Sequence, residues 1–178
     1  MNDRVTRSRL LAGAGATFIL AACGASKETA DSGESPDGLI GQLVPDFRVP
    51  RLDGGYGSLA DYRGKAVLAN LWATWCPPCR HEMPALERLY KRYAARGFVV
   101  VGLDQGENPG IAKKFIERVG VTYPILFDSD QQYGPAFRAV GLPTSVFIRR
   151  DGIIFAAHDG ELSYAQMAAQ TTRLLSAR

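Results

Sequence analysis

The chain has 178 residues, 46% hydrophobic and 22% charged, with 21 Lys plus Arg against 18 Asp plus Glu. Those proportions are globular, and the length suits one ordinary domain with an appendage. A net charge of +3 is too small for a nucleic-acid-binding face, and three Cys with two His leave few ways to build a metal centre. No apolar run reaches the roughly 20 residues of a membrane-spanning helix.

Residues 1–22 read as an export signal rather than as part of the fold. Arg4, Arg7 and Arg9 form a basic region ahead of a 13-residue apolar stretch, residues 10–22, that ends in small side chains. Leu20-Ala21-Ala22-Cys23 resembles a bacterial lipobox, which implies a lipoprotein signal peptide over residues 1–22 and a lipidated Cys23 as the mature N-terminus. A plain secretory signal that leaves Cys23 free is the alternative. Removing residues 1–22 takes away three basic residues and one acidic residue and leaves a net charge of +1, so the apparent basicity is largely the signal's. Residues 24–38 hold no aromatic or branched aliphatic side chain and cannot offset the cost of ordering by burial. With Cys23 they read as a flexible tether over residues 23–38, ahead of a folded domain over residues 39–178.

Within that domain, residues 46–49 are a short strand candidate, and Asp53-Gly54-Gly55 turns it into a hairpin with residues 56–59. Ser58-Leu59-Ala60-Asp61 has the pattern of an N-cap and a single helical turn. Residues 66–72 (AVLANLW) are nearly continuous apolar, as in a strand buried on both faces. Over residues 77–96, Leu86, Leu89, Tyr90 and Tyr93 recur at helical spacing, with Gly97 as the stop. Residues 98–103 read as a second buried strand. Asn108-Pro109 opens a helix to about residue 119 with Ile111, Phe115, Ile116 and Val119 on its inner face. A strand at 125–127 and a short helix at 131–139 follow. Two further strands, 145–148 and 153–157, flank an Asp151-Gly152 turn, and a helix over 163–175 closes the chain. This order predicts an α/β domain: a mixed central sheet flanked by helices, with an N-terminal hairpin extension.

Cys76-Pro77-Pro78-Cys79 falls where the first buried strand ends and the long helix begins. A helix's first turn carries unpaired N–H groups and a partial positive charge, both of which stabilise a thiolate. Cys76 is therefore expected to be the exposed, attacking sulfur, with Cys79 one turn further in and near enough to close a disulfide. Pro77 suits the first helical position, and Pro78 deletes another donor, which moderates the fall of the Cys76 pKa. A structural zinc site normally needs four ligands, and this pair with His81 and His158 offers an irregular set. Covalent haem attachment needs CxxCH, whereas here His81 comes one residue late. Redox chemistry is the reading the motif favours.

The segment Asn70-Leu71-Trp72-Ala73-Thr74-Trp75-Cys76-Pro77-Pro78-Cys79-Arg80-His81-Glu82-Met83-Pro84 resembles the active-site segment of the thioredoxin-like TlpA/ResA/CcmG family of membrane-anchored thiol-disulfide oxidoreductases. Residues 98–102, 109–119, 123–128 and 141–148 agree with that pattern, so the resemblance covers essentially all of residues 39–178. It implies a thioredoxin-like fold with one inserted helix. It also implies a cis peptide at Pro143 that sets the Leu142 backbone for pairing with an extended substrate chain, as in strand addition to a sheet edge. Trp75 and Pro77 would complete the substrate-docking surface. Glu82 would handle the proton of the resolving thiol Cys79, since a buried carboxyl has a raised pKa. A surface Glu in the helix's first turn is the plain alternative. Ordinary thioredoxin has a buried Asp where this chain has Asn70, and Asn cannot accept a proton; the weight therefore shifts to Glu82.

The function these readings imply is extracytoplasmic thiol-disulfide exchange through Cys76 and Cys79, in the direction of reducing protein disulfides. Family analogy suggests apocytochrome c or copper-site proteins as substrates, a membrane electron donor, and a role in cytochrome c maturation or related thiol delivery. No cofactor and no metal are expected beyond the Cys76–Cys79 disulfide. The expected state is a monomer, exported, lipid-anchored and facing the periplasm or extracytoplasmic space. Two rivals remain open. A thiol peroxidase would place its reactive Cys after Pro-x-x-x-Thr, whereas Thr74 lies two residues before Cys76. A haem or copper chaperone would use the two sulfurs as ligands without turnover.

Overall fold

A computed structural model describes residues 36–177; the predicted signal peptide, Cys23 and nearly all of the tether lie outside the described residues. A 3-10 turn at Pro36–Leu39 leads into a two-stranded antiparallel ribbon, β1 (Val49–Pro50) with β2 (Tyr56–Gly57). The hairpin expected around Asp53-Gly54-Gly55 is there, although β1 is shorter than the predicted strand and sits at its C-terminal end.

Five strands make the main sheet: β3 (Ala66–Trp72), β4 (Phe98–Gln105), β5 (Ile125–Asp128), β6 (Thr144–Ile148) and β7 (Ile154–Asp159), in the order β5-β4-β3-β6-β7. β3, β4 and β5 run parallel, while β6 and β7 add antiparallel. Parallel strands need long crossovers, and the chain supplies them as α1 (Pro77–Tyr93) and α2 (Pro109–Val119). A short α3 (Tyr133–Ala136) and the closing α4 (Tyr164–Ser176) complete the element order. β3 and β4 are buried along their whole length, as their unbroken apolar composition requires.

Strand alternation sorts β3 into two faces. Leu68 and Trp72 pack with Met83, Leu86 and Leu89 of α1, Phe115 of α2 and Met167 of α4. Val67, Ala69 and Leu71 pack with Tyr133, Phe137, Val44, Val49 and Leu59 on the other face. Asn70 and Cys76 consequently belong to the α1 side. Of the face predicted for α2, Phe115 and Ile116 are buried, but Ile111 is exposed and Val119 stands at the margin, with Ala112 taking the inner position. The physical reason is contact geometry: α2 meets the core along a narrow seam beside Trp72, and the small Ala112 permits a close approach that leaves larger neighbours outside.

Candidate active site

Cys76 caps the N-terminus of α1, and its Sγ accepts the Cys79 backbone N–H at 3.3 Å. Pro77 and Pro78 carry no N–H, so Cys79 supplies the first donor of the helix and aims it at the sulfur. The two cysteines are joined in a disulfide with Cα atoms 5.3 Å apart. Burial corrects one expectation: Cys76 is only 2% exposed and Cys79 1%. In the disulfide, the bond to Cys79 draws the Cys76 sulfur into the helix mouth. Trp75, 67% exposed, and Pro77 form the accessible surface around it.

Glu82 sits one turn further along α1 and is 1% exposed, which removes the surface-glutamate alternative. The helix brings it over the sheet where Asn70 stands. Asn70 Nδ2 donates to Glu82 Oε1 at 2.7 Å and also to Ser145 Oγ at 3.2 Å, while the Leu162 N–H donates to Glu82 Oε2 at 3.0 Å. Burial raises the Glu82 carboxyl to about 7, against the pull of those two donors; the neighbouring Glu161 adds a smaller push upward. Asn70 therefore orients the titrating group rather than titrating itself. Tyr123 is buried nearby, its phenol pushed up by burial first and by the Glu82 charge second.

A second acidic group lies on the other side of the cysteine loop. Glu107, just past the C-terminal end of β4, accepts the Thr74 N–H at 2.5 Å and the Thr74 hydroxyl at 2.6 Å. This fixes the residue two positions before Cys76. Asp104 is fully buried opposite Trp72 in the β3–β4 register. Burial first, then the neighbouring Glu107 carboxyl and the charge of Asp128, raise its carboxyl to about 8, and neither of its oxygens has a hydrogen-bond partner among the described residues. At neutral pH Asp104 is thus a protonated acid beside the Glu107 side chain that grips the Thr74 loop. Sequence reasoning passed over both residues. Asp104 carried a signal, a carboxylate inside an otherwise apolar strand (FVVVGLDQ). Glu107 carried none, since it meets Thr74 from 33 positions away.

Leu142-Pro143 is a cis peptide bond, Pro143 is buried and Leu142 half-buried. The Pro143 carbonyl accepts the Gly160 N–H at 2.7 Å. Two clefts flank the disulfide. One, of about 540 Å³, is lined by Leu71, Trp75, Val140, Gly141 and Leu142 among others, and it unites two of the residues expected to dock substrate. The other, of about 770 Å³, lies between the first turn of α1 and α2; Thr74, Pro77, Arg80, His81, Phe115 and Arg118 line it. Pro77 faces this second cleft rather than the one holding Trp75. Among the described residues, no three His, Cys, Asp or Glu side chains converge on a metal-sized site, and no helix is long and apolar enough to cross a membrane.

A family model described as the AhpC/TSA family matches residues 40–157. The thiol-disulfide oxidoreductase ResA of Geobacillus kaustophilus is 38% identical over 134 residues, covering 75% of this chain and 77% of that protein. The thioredoxin-like protein YneN of Bacillus subtilis is 37% identical over 129 residues, covering 71% and 75%. Among solved structures, a thiol:disulfide interchange protein of the thioredoxin family from Chlorobium tepidum superposes with a TM-score of 0.67 at 30% identity, covering 82% of this chain and 99% of that one.

Proposed function

The chain belongs to the AhpC/TSA family of thioredoxin-like proteins and is a thiol-disulfide oxidoreductase; we propose that it works as a reductant of protein disulfides outside the cytoplasm, held to a membrane by lipid on Cys23. The observation that carries the reading is the Cys76–Cys79 pair at the mouth of α1 with a buried carboxyl of pKa about 7 one turn below it. In the reduced protein the Cys76 thiolate, favoured by the Cys79 N–H and the helix terminus, attacks one sulfur of a substrate disulfide. A mixed disulfide forms and the first substrate thiolate leaves. Cys79 gives its proton to the Glu82 carboxylate and attacks the Cys76 sulfur. The second substrate thiolate leaves, and the Cys76–Cys79 disulfide is closed. Two electrons have passed to the substrate, and no further cofactor is required.

Leu142 supports a docking mode in which the substrate runs alongside its backbone as an added strand, with the exposed Trp75 ring as a platform. A membrane electron donor must then recharge the pair, because an oxidising compartment lacks the cytosolic reductants. Cytochrome c maturation, or a related delivery of thiols, is the setting we propose. The peroxidase alternative is disfavoured by the partner of Cys76. That sulfur is closed onto a residue three positions away, the pairing that exchange uses.

Trapping tests the reading. Full-length Cys79→Ser protein expressed in cells should accumulate mixed disulfides through Cys76, and Cys76→Ser/Cys79→Ser protein should capture none. Equal recovery from both variants overturns exchange through Cys76. Equilibration of the pair with glutathione reads direction, and a potential near the roughly −120 mV of strong oxidants overturns the reductant assignment.

A further inference from the structure

The cleft between α1 and α2 has a chemistry that the exchange mechanism does not use. Arg80, His81 and Arg118 line it, and no carboxylate does. Both guanidinium groups lie against one ring: the Arg80 carbon is 5.9 Å and the Arg118 carbon 5.5 Å from the centre of Phe115. Phe115 is itself buried and stacked on the fully buried Trp72 at 5.8 Å. An aromatic ring anchored in the core thus restrains two long cationic side chains, and less freedom is lost when an anion arrives. The ion pairs among the described residues join Arg51 to Asp53, Lys91 to Glu87 and Arg149 to Asp151, and none of them involves Arg80 or Arg118. Lys113 and Lys114 add positive charge along α2, against Glu117 alone. Glu107, half-buried beside the cleft-lining Thr74, is committed to that residue.

We propose that this cleft docks an acidic segment of the disulfide-bearing substrate, so that Asp or Glu side chains flanking the substrate's cystine settle against Arg80 and Arg118 while Cys76 exchanges. The inference rests on the exchange reading and adds the substrate's character. The groove on the other side of the disulfide is lined mainly by apolar groups, Leu71, Trp75, Val140 and Leu142 among them, with Gln105 and Gln131 as its polar members and no charged side chain. The two flanks of a bound substrate chain are therefore told apart: one meets cations, the other meets hydrocarbon and an indole. That polarity fixes the direction in which the chain crosses Cys76. Arginine suits the task because its planar fork matches a carboxylate.

The test uses reduced full-length protein and two synthetic cystine peptides of equal length, one with Asp and Glu beside the disulfide and one with Lys. Exchange rates are read from Trp fluorescence at about 20 mM and about 500 mM salt. The acidic peptide should react about tenfold faster at low salt, and the two rates should converge at high salt. Arg118→Gln should bring the ratio towards one and Arg118→Glu should invert it; a ratio cancels any change in the intrinsic reactivity of Cys76. Equal rates in the unmodified protein overturn the proposal, as does a ratio indifferent to Arg118. Arg118-dependent binding to phosphatidylglycerol vesicles with an unchanged peptide ratio also overturns it, reassigning the cleft to a lipid surface. Failure to reduce either peptide or the uncharged hydroxyethyl disulfide would instead strike at the exchange reading beneath it.

Discussion

Replacing Glu82 by Gln separates charge from shape at the buried carboxyl. The folded-state pKa is about 7, against 4.5 for an ordinary glutamate. Because the folded value is raised, the folded protein holds a proton that the unfolded chain has lost between those two pH values. The stability this proton confers is complete below about pH 4.5 and is lost as pH rises through about 7. At about 1.4 kcal/mol per pKa unit, the loss amounts to roughly 3 kcal/mol once Glu82 is fully ionised. Gln cannot ionise, so the variant lacks this slope. Its amide can replace the carboxyl by accepting from the Leu162 N–H and donating to Asn70, whose Oδ1 has no protein partner and whose amide can turn over. Urea unfolding of the oxidised proteins across about pH 5 to 8.5 reads the effect as a double difference, in which Asp104 and every other shared group cancels. The stability of Glu82→Gln minus that of the unmodified protein should climb by roughly 3 kcal/mol over this range, whatever its offset at the acid end. The same variant should lose the step near pH 7 in the rate at which Cys79 resolves a Cys76 mixed disulfide. A flat stability difference would mean that Glu82 does not titrate there, and its proton-accepting role would fall with it.

Asp104→Asn makes a related prediction on the opposite side of the cysteine loop. Its carboxyl is raised to about 8 and faces Glu107, Asp128 and the Trp72 indole, so the unmodified protein should lose stability as pH rises through about 8, and the Asn variant should lose less between about pH 7 and 9.5 in urea unfolding. Parallel curves would refute the protonated state of Asp104. Gly102→Ala should destabilise by about 1–3 kcal/mol in thermal or urea unfolding, through overpacking. Its added Cβ would lie 2.6 Å from Ile125 Cδ1, 3.1 Å from Trp72 Nε1 and 3.2 Å from Tyr123 Cε2, atoms whose side chains are held in the core. A neutral outcome would show that Ile125 and the two rings can move aside.

Local patterns made the frame legible in the sequence. The apolar run at Ala66–Trp72, the cap Asn108, and Gly97 in a left-handed conformation after α1 each act within a few residues, so local sequence alone declared them. The Cys76 and Cys79 pairing was legible for the same reason, since three-residue spacing at a helix start stacks the two sulfurs, whereas the role of Glu82 came from the family resemblance. What escaped depends on contacts across the sheet. Asn70 was marked as unable to take a proton, but its pairing with Glu82 arises because β3 passes beneath α1, a relation between residues 12 positions apart. The thiol's burial escaped because the sequence argument treated Cys76 as a free thiol at a helix end. The disulfide is instead buried, two residues past the Thr74 that Glu107 ties down. The inner face of α2 was misassigned because periodicity locates a stripe but not its width, and Ala112 counted for less than Ile111 on a hydrophobic scale.

The two buried acids have different work because different groups face them. Glu82 accepts from an amide and from a backbone N–H that both favour its charged form, so its pKa stops near 7 and it can exchange a proton under physiological conditions. Asp104 is buried and faces the carboxyl groups of Glu107 and Asp128, which oppose its ionisation, so it stays protonated at neutral pH. Glu107 itself accepts from both polar groups of Thr74. One carboxyl titrates near neutrality one turn below the cysteines, and the other keeps its proton through neutral pH. The division follows from strand register. Asn70 and Trp72 project to the same side of β3, two positions apart, and Asp104 lies opposite Trp72 rather than opposite Asn70. A shift of that register by two residues would bring Asp104 beside Asn70 and Glu82, two buried carboxyls would share one site, and neither would keep its role.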